Sequence, residues 1–126
     1  MKSKFLLMLV SFMGLMSGAQ SALAASAAVR EMAGIIMHLE HYPSDAEKTK
    51  LKVIANDMNS TSQERTIAAA ISNFRHHAAS QDVDKLKMVM GDMSAPPEVR
   101  DLAGIVLNIS HEPSAADKSK LEKMLK

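Results

Sequence analysis

Three features of the sequence predict an all-α protein built from three tandem helical hairpins. The first is an internal repeat at an offset of 70, with a weaker copy at half that offset. The second is an apolar pattern of helical period inside each copy. The third is punctuation between the helices of a copy, where a proline is followed by a capping serine.

The repeat is read by self-comparison. Val29-Arg30-Glu31-Met32-Ala33-Gly34-Ile35-Ile36 matches Val99-Arg100-Asp101-Leu102-Ala103-Gly104-Ile105-Val106. The match continues without a gap through His41-x-Pro43-Ser44 and His111-x-Pro113-Ser114, and through Lys50-Leu51 and Lys120-Leu121. The middle copy keeps Arg65, His76 and Lys85-Leu86 at the intermediate positions. The linkers agree too, as Asp57-Met58 and Asp92-Met93. The copies span about 25–59, 60–94 and 95–126.

Each copy reads as helix A, a turn and helix B. In the first copy, helix A is expected from Ala27 to about His41, with Val29, Met32, Ala33, Ile36 and Leu39 on a broad apolar arc. Such a helix belongs between neighbours. Pro43 disfavours helix in the residue before it, and Ser44 with Glu47 forms a capping-box pattern. Ser114 with Asp117 is a weaker version of that pattern. Helix B, about Asp45 to Asn56, carries a narrower stripe of Leu51, Ile54, Ala55 and Met58 beside Lys48, Lys50 and Lys52, as an outer amphipathic helix would. In the middle copy Ala78-Ala79-Ser80 replaces Tyr-Pro-Ser, which leaves that turn less sharply specified. Ala95-Pro96-Pro97 suits the start of the fifth helix. Asn56 and Gly91 fall at helix exits, where a left-handed residue is expected.

One hairpin cannot bury its apolar face alone, whereas three stacked copies can. The six helices are expected to form either a short α-solenoid or a compact pseudo-symmetric bundle. In period the architecture resembles short α-solenoids such as tetratricopeptide arrays. Aligning Gly34 with that family's glycine leaves its large aromatic positions unfilled, and the proline falls between the helices rather than after them.

The N-terminal segment reads as an export signal. Lys2 and Lys4 precede an apolar run from Phe5 to Met16, and Ala22-Leu23-Ala24 supplies small residues for cleavage after Ala24. The run is too short to span a membrane, which takes ~20 residues. Residues 25–126 then form a single all-α domain, expected to be periplasmic or secreted, with no later membrane span. Without cysteine the domain has no disulfide, thiolate metal site or cysteine nucleophile, and it must rely on packing. The formal charge of +1 falls to about −1 without Lys2 and Lys4, so nucleic acid is a poor partner. No phosphate loop, nucleophile elbow or HExxH spacing is present, so neither an enzyme nor a cofactor is expected.

Two constellations remain. On the wheel of helix A, Arg30, Gly34 and His41 lie within about 40°, and Arg65/Ala69/His76 and Arg100/Gly104/His111 repeat the set. Functionally these form a stripe of Arg30, His41, Arg65, His76, Arg100 and His111 lining an interaction groove. Structurally, the small residue permits close helix approach, Arg65 and Arg100 pair with Asp57 and Asp92, and each histidine closes its hairpin through backbone contacts. The structural reading is preferred, because repeats retain what each unit needs to fold. Metal ligation by all three histidines is disfavoured. Equivalent positions of stacked helices lie about 8–10 Å apart, whereas ligand nitrogens on one ion lie within ~4 Å. His38/His41 and His76/His77 are the better-placed pairs. The second constellation, Met88, Met90 and Met93, suggests copper, but the wheel favours core packing for Met90 and Met93. The expected role is therefore an exported protein- or peptide-binding module of unknown partner. The alternative is a periplasmic copper- or zinc-handling protein using His and Met side chains.

Overall fold

The computed structural model describes residues 25–126, and the proposed signal segment lies outside them. Six helices and no strand occur among the described residues: α1 (Ala27–Met37), α2 (Asp45–Asn56), α3 (Ser62–Ser72), α4 (Ser80–Gly91), α5 (Pro97–Asn108) and α6 (Ala115–Leu125). None is long and apolar enough to cross a membrane.

The helices start where the sequence places caps. Ser26 caps α1 by accepting from the Val29 amide. Ser44 with Glu47 and Thr61 with Glu64 each form the full reciprocal box. Ser114 accepts from the Asp117 amide, and Pro97 takes the first position of α5, where its missing N–H costs nothing. In the middle copy Ala79 offers no side-chain cap. The buried Asp82 carboxylate there accepts instead from the Asn73 side chain at 3.2 Å.

Helices α1, α3 and α5 form the inner layer, touching one another around a pseudo-three-fold axis. Their buried residues, among them Met32, Ile36, Ile67, Ile71, Leu102 and Val106, make one continuous core. Helices α2, α4 and α6 lie outside, and each is amphipathic, as the narrower stripe predicted. An outer helix packs mainly on the inner helix of the following repeat: α2 on α3, α4 on α5 and α6 back on α1. The array is therefore a closed bundle rather than an open solenoid. Closure leaves no terminal repeat with an uncovered face, which explains how so short an array buries its core without disulfides.

Small residues set the approach of these layers. Leu125 lies 3.8 Å from where a Cβ on Gly34 would stand, and the tip of Met90 lies 3.4 Å from the matching point on Gly104. By the repeat offset, the residues equivalent to these pairs in the remaining layer are Ala69 on α3 and Ala55 on α2, both small. The repeated Gly/Ala position thus faces a neighbouring helix rather than a ligand groove at Gly34 and Gly104.

Several expectations are corrected. Helix α1 stops at Met37, so His41 lies beyond the helix and off its wheel. Asn56 and Gly91 are not left-handed; the chain leaves α2 and α4 through extended Asp57 and Asp92 at φ −85° and −84°. Their carboxylates accept from the amides of Asn59 and Ser94, an Asx turn that does the work assigned to a left-handed cap. Met58, Met88, Met90 and Met93 are not core. Met58, Met88 and Met93 are 82%, 74% and 78% exposed, and Met90 is exposed while laid across Gly104. The outer stripe is narrower than the wheel suggested: Leu86 and Val89 fill it, and the helix turns away before Met93.

Candidate metal centre

Each link between an inner helix and the next outer one has the same five-residue design. The outer two residues are buried: Leu39 and Pro43, Phe74 and Ala78, Ile109 and Pro113. The three between them are exposed, with a histidine at the tip: His41, His76 and His111. These are the three non-glycine residues with positive φ among those described, at 69°, 65° and 75°. In each, the amide after the histidine donates to the carbonyl before it: Tyr42 to Glu40 at 2.7 Å, His77 to Arg75 at 2.6 Å, Glu112 to Ser110 at 2.9 Å. A positive-φ centre with such a bond is the rarer, strained form of γ-turn.

The three tips meet on the axis. His41 N–H donates to the His111 carbonyl (2.8 Å), His76 N–H to His41 (2.5 Å) and His111 N–H to His76 (2.6 Å). This ring of backbone bonds ties the three repeats together at one end. It involves no side chain, so any residue able to adopt the turn could make it. Glycine would do so at least strain. Histidine stands there in all three copies, which points to a use for the imidazole.

The imidazoles converge. His76 Nδ1 lies 3.3 Å from His41 Nδ1 and 3.0 Å from His111 Nδ1. The ring centroids are 4.9–5.3 Å apart with edge-on packing. One ligand nitrogen from each lies within 4.8 Å of the others, and all three residues are exposed. A tetrahedral ion with metal–nitrogen bonds of ~2.0–2.1 Å spaces its ligand nitrogens about 3.3 Å apart. The two Nδ1–Nδ1 edges at His76, 3.3 and 3.0 Å, are close to that spacing. Neutral imidazoles alone satisfy the arrangement poorly. A single Nδ1 carries one proton or one lone pair in the ring plane, so His76 cannot make two good hydrogen bonds with it. His41, His76 and His111 would each have a ring lone pair to give to a shared ion.

The charge state suits a ligand. Desolvation, then repulsion from His111 and His41 and from His77 and Arg75, holds His76 below the ordinary histidine value, the direction that favours a free lone pair. A crevice lined by Glu40, His41, His111 and Glu112 opens beside the cluster.

The three imidazoles approach more closely than equivalent positions of stacked helices do, for a definite reason. Stacked helices keep equivalent positions 8–10 Å apart, but here the inner helices surround an axis and the histidines sit on turns beyond the helix ends, curling onto it. Nor does the side chain of His41, His76 or His111 close its own hairpin through backbone; the main chain does that. The arginines are separated from the histidines. Arg30, Arg65 and Arg100 stand in the first turns of α1, α3 and α5, at the opposite end. Each donates to a carbonyl five residues back: Arg30 to Ala25 at 2.6 Å, Arg65 to Ser60 at 2.5 Å and Arg100 to Ala95 at 3.2 Å. Arg65 also reaches the carbonyl of Asp57 (3.5 Å), not its carboxylate. The arginines thus brace the linkers, and no continuous stripe exists. His38 caps the end of α1 through its backbone, His77 turns its Nδ1 toward the Ala78 carbonyl at 3.2 Å, and neither joins the converging set. Met88 lies with Ser62, Gln63 and Asp92 beside the start of α3, away from the histidines.

Comparison with protein-family models, curated proteins and solved structures returns no match for this chain.

Proposed function

We propose that this chain is a small exported protein that binds one divalent transition-metal ion, zinc or copper(II), through His41, His76 and His111. The observation that carries the reading is the convergence of three imidazoles held on turns where glycine would be the less strained choice. The donor set selects the metal. Imidazole nitrogen suits zinc, copper and nickel; magnesium and calcium want oxygen. No thiolate is available for copper(I), and the exposed methionines lie elsewhere. Export is proposed from the N-terminal pattern of Lys2, Lys4, the Phe5–Met16 run and Ala22/Ala24.

Calorimetric titration of untagged protein with Zn²⁺ tests the reading. One ion per chain is expected, lost in His76→Ala and unchanged in His38→Ala. Retention of stoichiometric binding by His76→Ala would place the metal elsewhere and defeat the proposal.

A further inference from the structure

Resting on the metal reading, we infer that the chain closes the coordination itself, with a carboxylate from the pair Glu40 and Glu112 beside the three imidazoles. The ion is then a resident clamp on the repeats rather than an exchangeable cargo.

The three-fold arrangement is broken on one side. The edges from His76 to His41 and to His111 carry ring-nitrogen contacts, and the edge between His41 and His111 carries none. That edge also has the widest ring separation, 5.3 Å against 5.0 and 4.9 Å. The crevice lies along it, lined by His41, His111 and the glutamate next to each, Glu40 and Glu112. The repeat alone does not require two acids there. Before the histidine the copies carry Glu40, Arg75 and Ser110, and after it Tyr42, His77 and Glu112. The two glutamates thus come from different copies and from opposite sides of their histidines. Closure of the bundle brings them to one crevice.

Three imidazoles leave a divalent ion with an incomplete shell and both its positive charges. A carboxylate supplies the missing donor and offsets charge in one step, and four protein ligands are what a structural zinc site holds. Both glutamates are exposed, and neither has an ion-pair partner among the described residues, so each is free to turn onto an ion. In the metal-free arrangement neither carboxylate belongs to the converging group, so binding an ion would draw one in. The crevice holds about 140 Å³. That is under the ~300 Å³ at which small-molecule pockets begin, and it suits a carboxylate of the chain better than a bound substrate.

The experiment compares the untagged parent with the double variant Glu40→Gln/Glu112→Gln, which keeps side-chain size and removes the charged donors. Each is loaded with one Co²⁺ and titrated with imidazole, and Zn²⁺ affinity is measured by competition with a chromophoric chelator. The parent's visible Co²⁺ spectrum is expected to stay unmoved by imidazole. The double variant is expected to bind Zn²⁺ more weakly, by at least the ~10-fold that loss of a supporting group costs. Its Co²⁺ spectrum is expected to shift as imidazole enters the vacated position. Metal-free melts of the two proteins should coincide, which separates lost coordination from lost folding. A parent spectrum that shifts with imidazole, or equal Zn²⁺ affinity in the two proteins, would show that the carboxylates take no part. Either result would overturn this inference and leave the three-histidine reading standing. A parent that binds neither Co²⁺ nor Zn²⁺ would sink the metal reading itself, and this inference with it.

Discussion

At the scale of single residues, the three turn histidines separate two roles that one side chain usually combines. Their main chains tie the repeats into a ring, and their rings face one another. Substitution at His76 distinguishes these roles. His76→Ala keeps the strained backbone without the ring; His76→Gly removes both ring and strain. Without metal, the glycine variant is expected to be more stable than the alanine variant by about 1 kcal/mol. Both are expected to lose the rise in Tm that added Zn²⁺ gives the parent. Thermal melts with and without Zn²⁺ check this, and equal metal-free stability of the two variants would count against a left-handed turn. A second residue-scale expectation concerns acid. Hydrogen bonds from the Ser94 hydroxyl, the Gln63 amide and the Ser94 backbone hold the Asp92 carboxyl below its ordinary value. A depressed folded value means the unfolded chain binds more protons in that range, so this contribution is present above the ordinary carboxylate value and lost as pH falls through the folded one. The stability gap between the parent and Asp92→Asn should therefore narrow on acidification from neutral pH to below the ordinary carboxylate range. Denaturant titration at several pH values measures it, and a constant gap would show that the carboxylate's charge is immaterial.

At the scale of elements, boundaries follow local chemistry and layer spacing follows residue size. Four of the six helices carry a side-chain cap drawn from Ser or Thr. Between layers, Gly34 and Gly104 receive Leu125 and Met90. The two glycines are not equally demanding. Neither has positive φ, so each spends the flexibility of glycine on contact alone. At Gly34 the nearest atom, 3.8 Å away, leaves ordinary room for a methyl group. Gly34→Ala is therefore expected to stabilise the protein by about 0.5–1 kcal/mol through helix propensity. Gly104→Ala, with Met90 at 3.4 Å, should gain less because the methionine tip must shift. Denaturation midpoints of the two variants rank them, and a destabilised Gly34→Ala would mean α6 sits closer to α1 than described.

At the scale of the whole molecule, closure changes what the ends of the array are worth. In an open solenoid the last helix frays, and a cavity there costs little. Here α6 packs on α1, and Leu121 is as fully buried as Leu86 and Leu51. Leu86→Ala and Leu121→Ala are expected to cost similar amounts, each about 2–5 kcal/mol. Chemical denaturation of both variants is the check. A much smaller loss for Leu121→Ala would indicate an open end. Closure also gathers three residues, each 35 positions apart, onto one axis. On the proposed reading, a metal bound there would link all three repeats and would stabilise the fold in proportion to the logarithm of its free concentration.

The amino-acid sequence by itself determined the class, the six helices, the three-copy plan, the inner core stripe and most helix starts. Each depends on interactions within a few residues or on a period, such as Pro43 before Ser44, or Leu51 three residues before Ile54. It also showed that His41, His76 and His111 recur. What only the tertiary structure decided is where those histidines go. Their position depends on whether α6 reaches α1, on the curvature summed over all three repeats, and on turns that leave the helical wheel after Met37. A wheel drawn through Pro43's approach placed His41 on the same face as Arg30, whereas the fold sends the two to opposite ends. The exposure of Met58, Met88 and Met93 was hidden for a related reason. A hydrophobic side chain is compatible with core or surface, and only the packing of the neighbouring helix determines which.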